Sequence, residues 1–528
     1  MNIDLSAEQN DYAIFLPATS GFYSTFVGKQ RFANYVDPAR IPASFTKGVE
    51  GLNYLNPADG MFKYKWCLYS AGHANLDLNK PDESEDMFRN RDRSTSLVLG
   101  DSGGFQVAKG VWPADWKDPN CPKAQKMREQ VLNWLCNIAD YGMTLDIPTW
   151  TFRDPKAAAA SGIHSYEDAV KATKFNNEYF INNRFGSTKF LNVLQGSNHT
   201  EADEWYELMK GYCDPKQYPD RHFNGWGMGG QNMCDVELIL KRLNALRFDG
   251  LLEEGVQDWM HFLGTSKLEY AVLLTDIQRA IRKHHNPKFT ISFDCASPFL
   301  ATANGQIYYE TTTEPDKKWS YRMQPSADDK KYSTDTRLFK DAIIQDGIFE
   351  TFESSPIIDQ VLMKDICIYA PGELNKVGKE GKTSWDSFSY AIMMGHNCWM
   401  HINAVQEANR QSDNGCIPQM LKDHTNHNQI YLFKDIVDEI FAEKDRAKSD
   451  AIIAKHKNYF TYGIAGTRGF TRGKSVNART KANQLFEETS HAAPIDPTSK
   501  KLTKAEKAAI QAEEKRKHKP ITHLFDFD

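Results

Sequence analysis

The sequence predicts an α/β protein built as a (β/α)8 barrel of the TIM type, with insertions and a mainly helical C-terminal extension. Two observations carry this. Six short apolar runs end in a polar residue or glycine: SLVLGD at Asp101, GMTLD at Asp146, FLNVLQG around Gln195, NGWGMGG at Gly229 and Gly230, MHFLGT at Thr265 and FTISFD at Asp294. Helical patterns lie between them. Met127, Val131, Trp134, Leu135 and Ile138 recur on one face, as do Val236, Ile239, Leu240 and Leu243. Strands alternating with helices at this spacing form parallel βα units, and a parallel barrel gathers its functional groups at the strand C-termini.

The stretch LVLGDSGGF, residues 97–105, is the most telling of these elements. Leu97, Val98 and Leu99 are too apolar for a surface strand, so they read as a buried strand delivering Asp101 to the open end of the sheet. Gly103 and Gly104 permit a sharp turn and a close approach to a ligand. Phe105 follows where a ring can stack on a planar group. An ordinary Asp-Ser-Gly-Gly turn has the same composition. Recurrence of the design along the chain favours a site. Farther on, Ser266 and Glu269 stand at capping-box spacing, which predicts the start of the helix that carries Leu273, Ile277 and Ile281.

A chain of 528 residues can bury a large core and hold more than one domain. Its 25% charged and 41% hydrophobic residues are those of an ordinary soluble protein, not of a disordered or fibrous one. A net charge of -5 provides no global attraction for a polyanion, so contact with nucleic acid must come from local positive charge. No apolar stretch has membrane-spanning length, and the opening MNIDLSAEQNDYA lacks the basic and apolar regions of a signal peptide. The 9 cysteines are odd in number and show no CxxC spacing, which implies reduced thiols and a cytoplasmic location.

The motifs DSGGFQ, residues 101–106, and FDCASPFLATANGQ, residues 293–306, resemble the signatures of the tRNA-guanine transglycosylase family, in the same order. TLDIPTW, VLQGS and GMGG lie between them, where that family places its base-binding strands, so the likeness spans residues 65–310. Such enzymes break the N-glycosidic bond at C1′ of a nucleotide and remake it with another base. A carboxylate suits this, because it can attack an oxocarbenium-like carbon and leave again. A second carboxyl group must carry the proton between outgoing and incoming bases.

The resemblance implies Asp294 as nucleophile and Asp101 as general acid/base. It implies that Asp146 reads the Watson–Crick edge of guanine, where two adjacent donors call for a carboxylate. Gln195 and the backbone at Gly229 and Gly230 would contact O6 and the 7-substituent, with Phe105 stacking and Ser102 beside it. His73, in SAGHAN, is a further candidate for the pocket wall, although a lone histidine more often serves the fold.

Departures from the family are as informative. Its members bind zinc through a CxCxxC motif and a distant histidine, whereas Cys367, Cys398 and Cys416 stand alone here, with His396 and His401 flanking Cys398. No cofactor and no structural zinc are therefore expected, which removes the ground for the family's usual dimer. Leu300 and Ala303 replace two arginines that grip the tRNA loop, while Asn304 and Gly305 are kept. Gln231 replaces an apolar residue, a change that bears on which 7-deazaguanine fits.

The domain reading is a barrel with insertions over residues 1–430, a basic and aromatic extension over 431–490, and a linker with a charged helix over 491–528. Arg468, Arg472 and Lys474, with Arg479, Lys481 and Phe470, suit phosphate contact and base stacking, although a solvated loop has the same composition. The missing arginines and missing zinc pattern point to DNA as partner. The expected activity is replacement of guanine in DNA by 7-cyano-7-deazaguanine or a related base, as in the divergent DNA transglycosylases of phages and modification clusters. A tRNA enzyme is the alternative, and a noncatalytic binding subunit is disfavoured by the presence of both Asp101 and Asp294. No GxxxxGK[ST] motif is present, so opening a duplex would fall to a helper ATPase. Membrane partners are not expected.

Overall fold

The structure, a computed structural model, describes residues 3–6, 11–29, 36–80, 85–315, 317–371, 382–425 and 429–464. Eight parallel strands make one barrel-like sheet: β1 (Ile14–Pro17), β2 (Trp66–Ser70), β3 (Leu97–Asp101), β4 (Tyr141–Met143), β5 (Lys189–Leu194), β6 (Gly225–Met228), β7 (Trp259–Phe262) and β8 (Thr290–Cys295). Their order is β1-β8-β7-β6-β5-β4-β3-β2. The two edge strands meet at a parallel bridge between Ala18 and Leu68, where Thr19 N–H donates to the Leu68 carbonyl at 3.0 Å. The sheet is thus nearly closed, consistent with a TIM-like barrel. Residues such as Phe190, Leu191, Val193, Leu194, Trp226, Met260 and Phe293 have almost no exposure, as expected of strands covered on both faces.

All six apolar runs singled out in the sequence lie on strands β3 to β8 or just beyond their ends. The helices between them include α1 (Gly21–Gly28), α2 (Gly104–Ala108), α3 (Pro122–Ile138), α4 (Tyr166–Asn183), α5 (His199–Met209), α6 (Val236–Phe248) and α7 (Leu268–His284). The apolar faces read for α3 and α6 are the faces that they bury. The capping box expected at α7 does not form. Lys267 occupies the cap position and its side chain does not cap the helix, and Glu269 instead accepts from the Trp319 N–H at 3.2 Å. A tertiary partner has taken the carboxylate that the local motif would have used.

After β8 the chain forms α8 (Ser297–Ala303), an antiparallel hairpin of β9 (Gln306–Thr312) and β10 (Ser320–Pro325), and the 27-residue α9 (Ser387–Asp413). Most of α9 is buried against α8, α7 and β9. His401 on α9 stacks on Phe15 of β1 at 4.4 Å, with Nε2 3.6 Å from Cys295 Sγ of β8. The helix therefore seals the barrel beside its closing strands. α10 (Phe433–Ala442) packs on α7, and α11 (Arg446–Lys455) packs on α6. Arg247 of α6 donates to the Phe441 carbonyl at 2.8 Å, and Asn244 donates to Asp450 at 2.7 Å. Residues 433–455 thus share the barrel's packed body. Arg468, Arg472, Lys474, Arg479 and Lys481, and the linker and charged helix of 491–528, lie outside the described residues. Among the described residues no helix is long and apolar enough to cross a membrane.

Asn397 of α9 ties this flank together. Its carbonyl accepts from the Tyr308 N–H at 2.8 Å, and its amide donates to Thr302 Oγ1 at 2.9 Å and to the Pro298 carbonyl at 3.2 Å. Asn397→Ala would take the acceptor from the Tyr308 N–H, at about 1–3 kcal/mol for a stranded buried group, and remove a donor from Thr302 and Pro298, which keep their mutual bond at 3.4 Å. Urea titration should show the unfolding free energy reduced by about 2–4 kcal/mol. A loss under about 0.5 kcal/mol, the scale of an ordinary surface change, would show that the flank does not depend on this residue.

Candidate active site at the barrel mouth

Parallel pairing delivers the acidic groups to one rim. Asp101 ends β3 in register with Ser70, the last residue of β2. The Ser70 hydroxyl donates to Asp101 Oδ2 at 2.6 Å, and the Gly103 N–H donates to Oδ1 at 3.3 Å. Burial pushes the Asp101 carboxyl above the usual carboxylate range against these two bonds, and the charge of Asp294 pushes the same way.

Asp294 stands one residue before the end of β8. Its Oδ1 accepts from His261 Nε2 at 3.1 Å and from the Gly264 N–H at 2.9 Å. His261 lies on β7, and its Nδ1 is 2.9 Å from Ser292 Oγ, which also accepts from the Trp259 indole N–H at 2.8 Å. Ser292, His261 and Asp294 have the composition of a hydrolytic triad. However, Ser292 is 0% exposed inside the barrel and beneath Asp294, where no substrate reaches it, so it is not a nucleophile.

Asp146 lies three residues beyond β4, and its Oδ2 accepts from Gln195 Nε2 at 2.7 Å. Burial pushes its carboxyl up to about 7, and the nearby Asp101 charge adds to the rise against the Gln195 bond. Gln195 directs its amide nitrogen at Asp146, which leaves Oε1 buried without a partner. That is an acceptor suited to an N–H of a ligand. Two glycines permit the pocket's shape. A Cβ at Gly104 would come within 2.4 Å of the Asp146 carbonyl oxygen, so only glycine lets the DSGG turn lie on Asp146. Gly230 has φ 55, and a Cβ there would lie 2.4 Å from the Gly196 carbonyl oxygen.

Asp101, Asp294, Asp146, Gln195, Gly229 and Gly230 are therefore placed at one mouth. Phe105 is 37% exposed there, edge-on to Trp150 at 5.8 Å with the Lys109 ammonium 5.1 Å above its ring. Ser102 is used differently from the expectation. Its buried hydroxyl donates to the Thr144 carbonyl at 2.9 Å, tying the DSGG turn to the segment after β4. The side chain of Gln231 donates to Asp235 at 3.1 Å, which orients it along α6. His73 sits in the turn after β2, close enough to Asp101 for their charges to interact. Reasoning from the sequence missed His261, Ser292 and the Gly264 N–H. The only sequence signal was the alternation of Trp259 with His261 and of Ser292 with Asp294, which points each pair to one side of its strand.

Among the described residues no group of three or more His, Cys, Asp and Glu is arranged to hold a metal ion. His396 is committed to the fold: Nε2 donates to the Tyr308 carbonyl at 2.8 Å and Nδ1 accepts from Ser355 Oγ at 2.8 Å. Burial lowers its imidazole to about 4 and that of His401 to about 3. Cys367 lies against the Asp329 carbonyl, and Cys398 is fully buried. No protein-family model matches this chain, and no curated protein is significantly similar to it.

The Asp146 carboxyl generates a stability test. Its folded value of about 7 stands above the roughly 3.9 of an unfolded aspartate. The native state therefore holds the proton more tightly. The associated stability is present at low pH and is lost as pH rises from the unfolded value through about 7. Asp146→Asn keeps an acceptor for Gln195 and removes the charge. It should melt above the native protein at about pH 8, and the gap should vanish below about pH 4. Parallel melting curves across that range would mean that burial does not hold the proton on Asp146.

Proposed function

We propose that this chain exchanges a base on a nucleic acid, replacing guanine in DNA with a 7-deazaguanine such as 7-cyano-7-deazaguanine, as the tRNA-guanine transglycosylases it resembles do in tRNA. The observation that carries the reading is the meeting of three carboxyl groups with different surroundings at the C-terminal mouth of one parallel barrel-like sheet. Asp294 is anchored by two N–H donors, Asp101 is buried on a hydroxyl and a backbone N–H, and Asp146 is buried beside an amide. Such a spread suits groups with separate acid, base and nucleophile roles.

In the proposed reaction the Asp294 carboxylate attacks C1′ as the bond to guanine N9 breaks, forming a glycosyl ester. Asp101 supplies a proton to the departing base. The incoming base gives its N9 proton to the Asp101 carboxylate and attacks C1′, and the Asp294 carboxylate leaves. Asp146 accepts from the ring N–H and the exocyclic amine of each base, and Gln195 Oε1 offers a second acceptor. The geometry supports a purine carrying adjacent donors. DNA is favoured over tRNA because Leu300 and Ala303 on α8 stand where the tRNA enzymes carry arginines, which alters the grip on phosphates without altering the chemistry. The target base must leave the stack, at a cost of a few kcal/mol in duplex and less in an open strand.

Asp294→Asn should abolish exchange and the covalent adduct that the native protein forms with single-stranded DNA, as read by gel shift and mass analysis. Retention of near-native exchange would remove Asp294 as nucleophile. Asp101→Asn should lose about 10²–10⁴-fold in rate while its affinity for DNA changes little. The reverse pattern would make Asp101 a binding residue. Nucleoside analysis after incubation decides the polymer. Exchange confined to a tRNA anticodon loop would replace DNA with tRNA, and no exchange on either would leave only the binding-subunit reading. Affinity for DNA should fall steeply with salt. Neutralising Arg468, Arg472 and Lys474 together should flatten that dependence.

A further inference from the structure

With His261 as a neutral imidazole, the hydrogen bonds behind Asp294 have one self-consistent direction. An indole N–H is a donor only, so Ser292 Oγ accepts from Trp259 at 2.8 Å. A carboxylate only accepts, so the hydrogen of the His261 ring sits on Nε2, 3.1 Å from Asp294 Oδ1. Nδ1 then carries a lone pair, and the Ser292 hydroxyl turns its own hydrogen toward it across 2.9 Å. Donation runs from Trp259 to Ser292 to His261 to Asp294. Ser292 and His261 are 0% exposed, so no water competes for either ring nitrogen.

This chain of donors ends on one oxygen. Both His261 Nε2 and the Gly264 N–H reach Oδ1, and among the described residues Oδ2 of Asp294 receives no hydrogen bond. The Asp294 side chain is 13% exposed, so a narrow edge of the carboxylate faces the mouth. We infer that His261, backed by Ser292 and Trp259, is a positioning residue that pins Oδ1 and reserves Oδ2 as the atom that attacks the sugar carbon. The inference rests on the proposed base exchange. In the first step Oδ2 forms the bond to C1′ while the bond to the outgoing base breaks, and Oδ1 becomes the ester carbonyl. In the second step the C1′–Oδ2 bond breaks with its electron pair returning to the carboxylate. The two N–H donors then meet growing negative charge on Oδ1. They bind the departing carboxylate more strongly than the ester, which is where such contacts accelerate a step.

Two measurements on the full chain separate this inference from the functional reading. Nitrogen NMR of protein labelled at histidine needs no substrate. It should show His261 with hydrogen on Nε2 alone, in slow exchange with solvent, and perturbed by Ser292→Ala. Hydrogen on Nδ1 alone, or a ring in fast exchange, would overturn the inference. The kinetic arm follows labelled guanine into a single-stranded oligodeoxynucleotide. His261→Leu should lower kcat about 10²-fold, the scale of losing one preorganised donor, with KM for the oligonucleotide nearly unchanged. His261→Gln can place an amide N–H where Nε2 stood and should recover about tenfold of that loss. Should Leu and Gln variants of matched melting temperature be equally slow, or His261→Leu stay close to the native rate, the positioning role fails. If His261→Leu does not fold, Ser292→Ala and His261→Gln decide by the same split between kcat and KM. A native protein with no exchange activity would count against the base-exchange reading, and the NMR result would still judge the His261 contact.

Discussion

Everything at the mouth depends on the closing of one ring of parallel strands. β3 carries Asp101 and β8 carries Asp294, and along the hydrogen-bonded order four strands, β4 to β7, separate them. Round the other side only β1 and β2 intervene, and those two meet through the Ala18–Leu68 bridge rather than a long ladder. Without that contact the two carboxyl groups would stand at distant places on an open sheet. With it, the charge of Asp294 reaches Asp101 strongly enough to oppose its ionisation. The short β1 is thus the piece on which the site turns. Its outer support is α9, where His401 stacks on Phe15 and lies against Cys295 of the neighbouring strand.

Desolvation is the largest influence on the buried carboxyl groups of the mouth. Among the described residues neither Asp101 nor Asp146 forms an ion pair, and Asp294 meets only the ring of His261. Neutral donors hold Asp101 and Asp146: a hydroxyl and a backbone N–H on the first, an amide on the second. A carboxyl group buried among neutral donors and beside other carboxyls keeps its proton to higher pH than one paired with lysine or arginine. Asp146 at about 7 is the result. The same arrangement makes protons available near neutrality, which acid–base work in one pocket requires.

Much of this was legible in the chain because burial on both faces writes parallel strands as unbroken apolar runs, and the polar residue that ends each run marks the rim. Asp101, Asp146, Gln195, Gly229, Gly230 and Asp294 were readable in that way. IFLP escaped notice although it forms β1, since a run of four ending in proline carries no polar flag, and WCLYS of β2 went unread although Ser70 ends it as a polar residue ends the other runs. His261 escaped for another reason. Its meaning depends on the register that sets it opposite Ser292 on β8, a pairing across 31 residues that no local pattern encodes. Local patterns also misled where tertiary partners intervened. Glu269 left its capping box for the Trp319 N–H, and the Ser102 hydroxyl turned from the pocket to the Thr144 carbonyl.

On the proposed reading, the helix after Asp294 bears on how chemistry and polymer recognition are divided. α8 follows Asp294 with Ser297, Pro298, Phe299, Ala301 and Thr302 all buried, and Asn397 pins Pro298 and Thr302 to α9. Leu300 and Ala303 are the partly exposed residues of this helix, and neither carries a charge toward a phosphate backbone. What the helix gains is rigidity directly behind the strand that holds Asp294, whose carboxyl group is also held by His261. On the proposed reading, phosphate contact then comes from other parts of the chain. Residues 467–481, five cations without an acid, are the sequence's clearest source of it. On this reading the barrel supplies a preorganised site for one base, and grip on the polymer is delegated to a separate basic segment. Such a division would let Asp101, Asp146 and Asp294 stay unpaired with lysine or arginine while the chain still serves a polyanion.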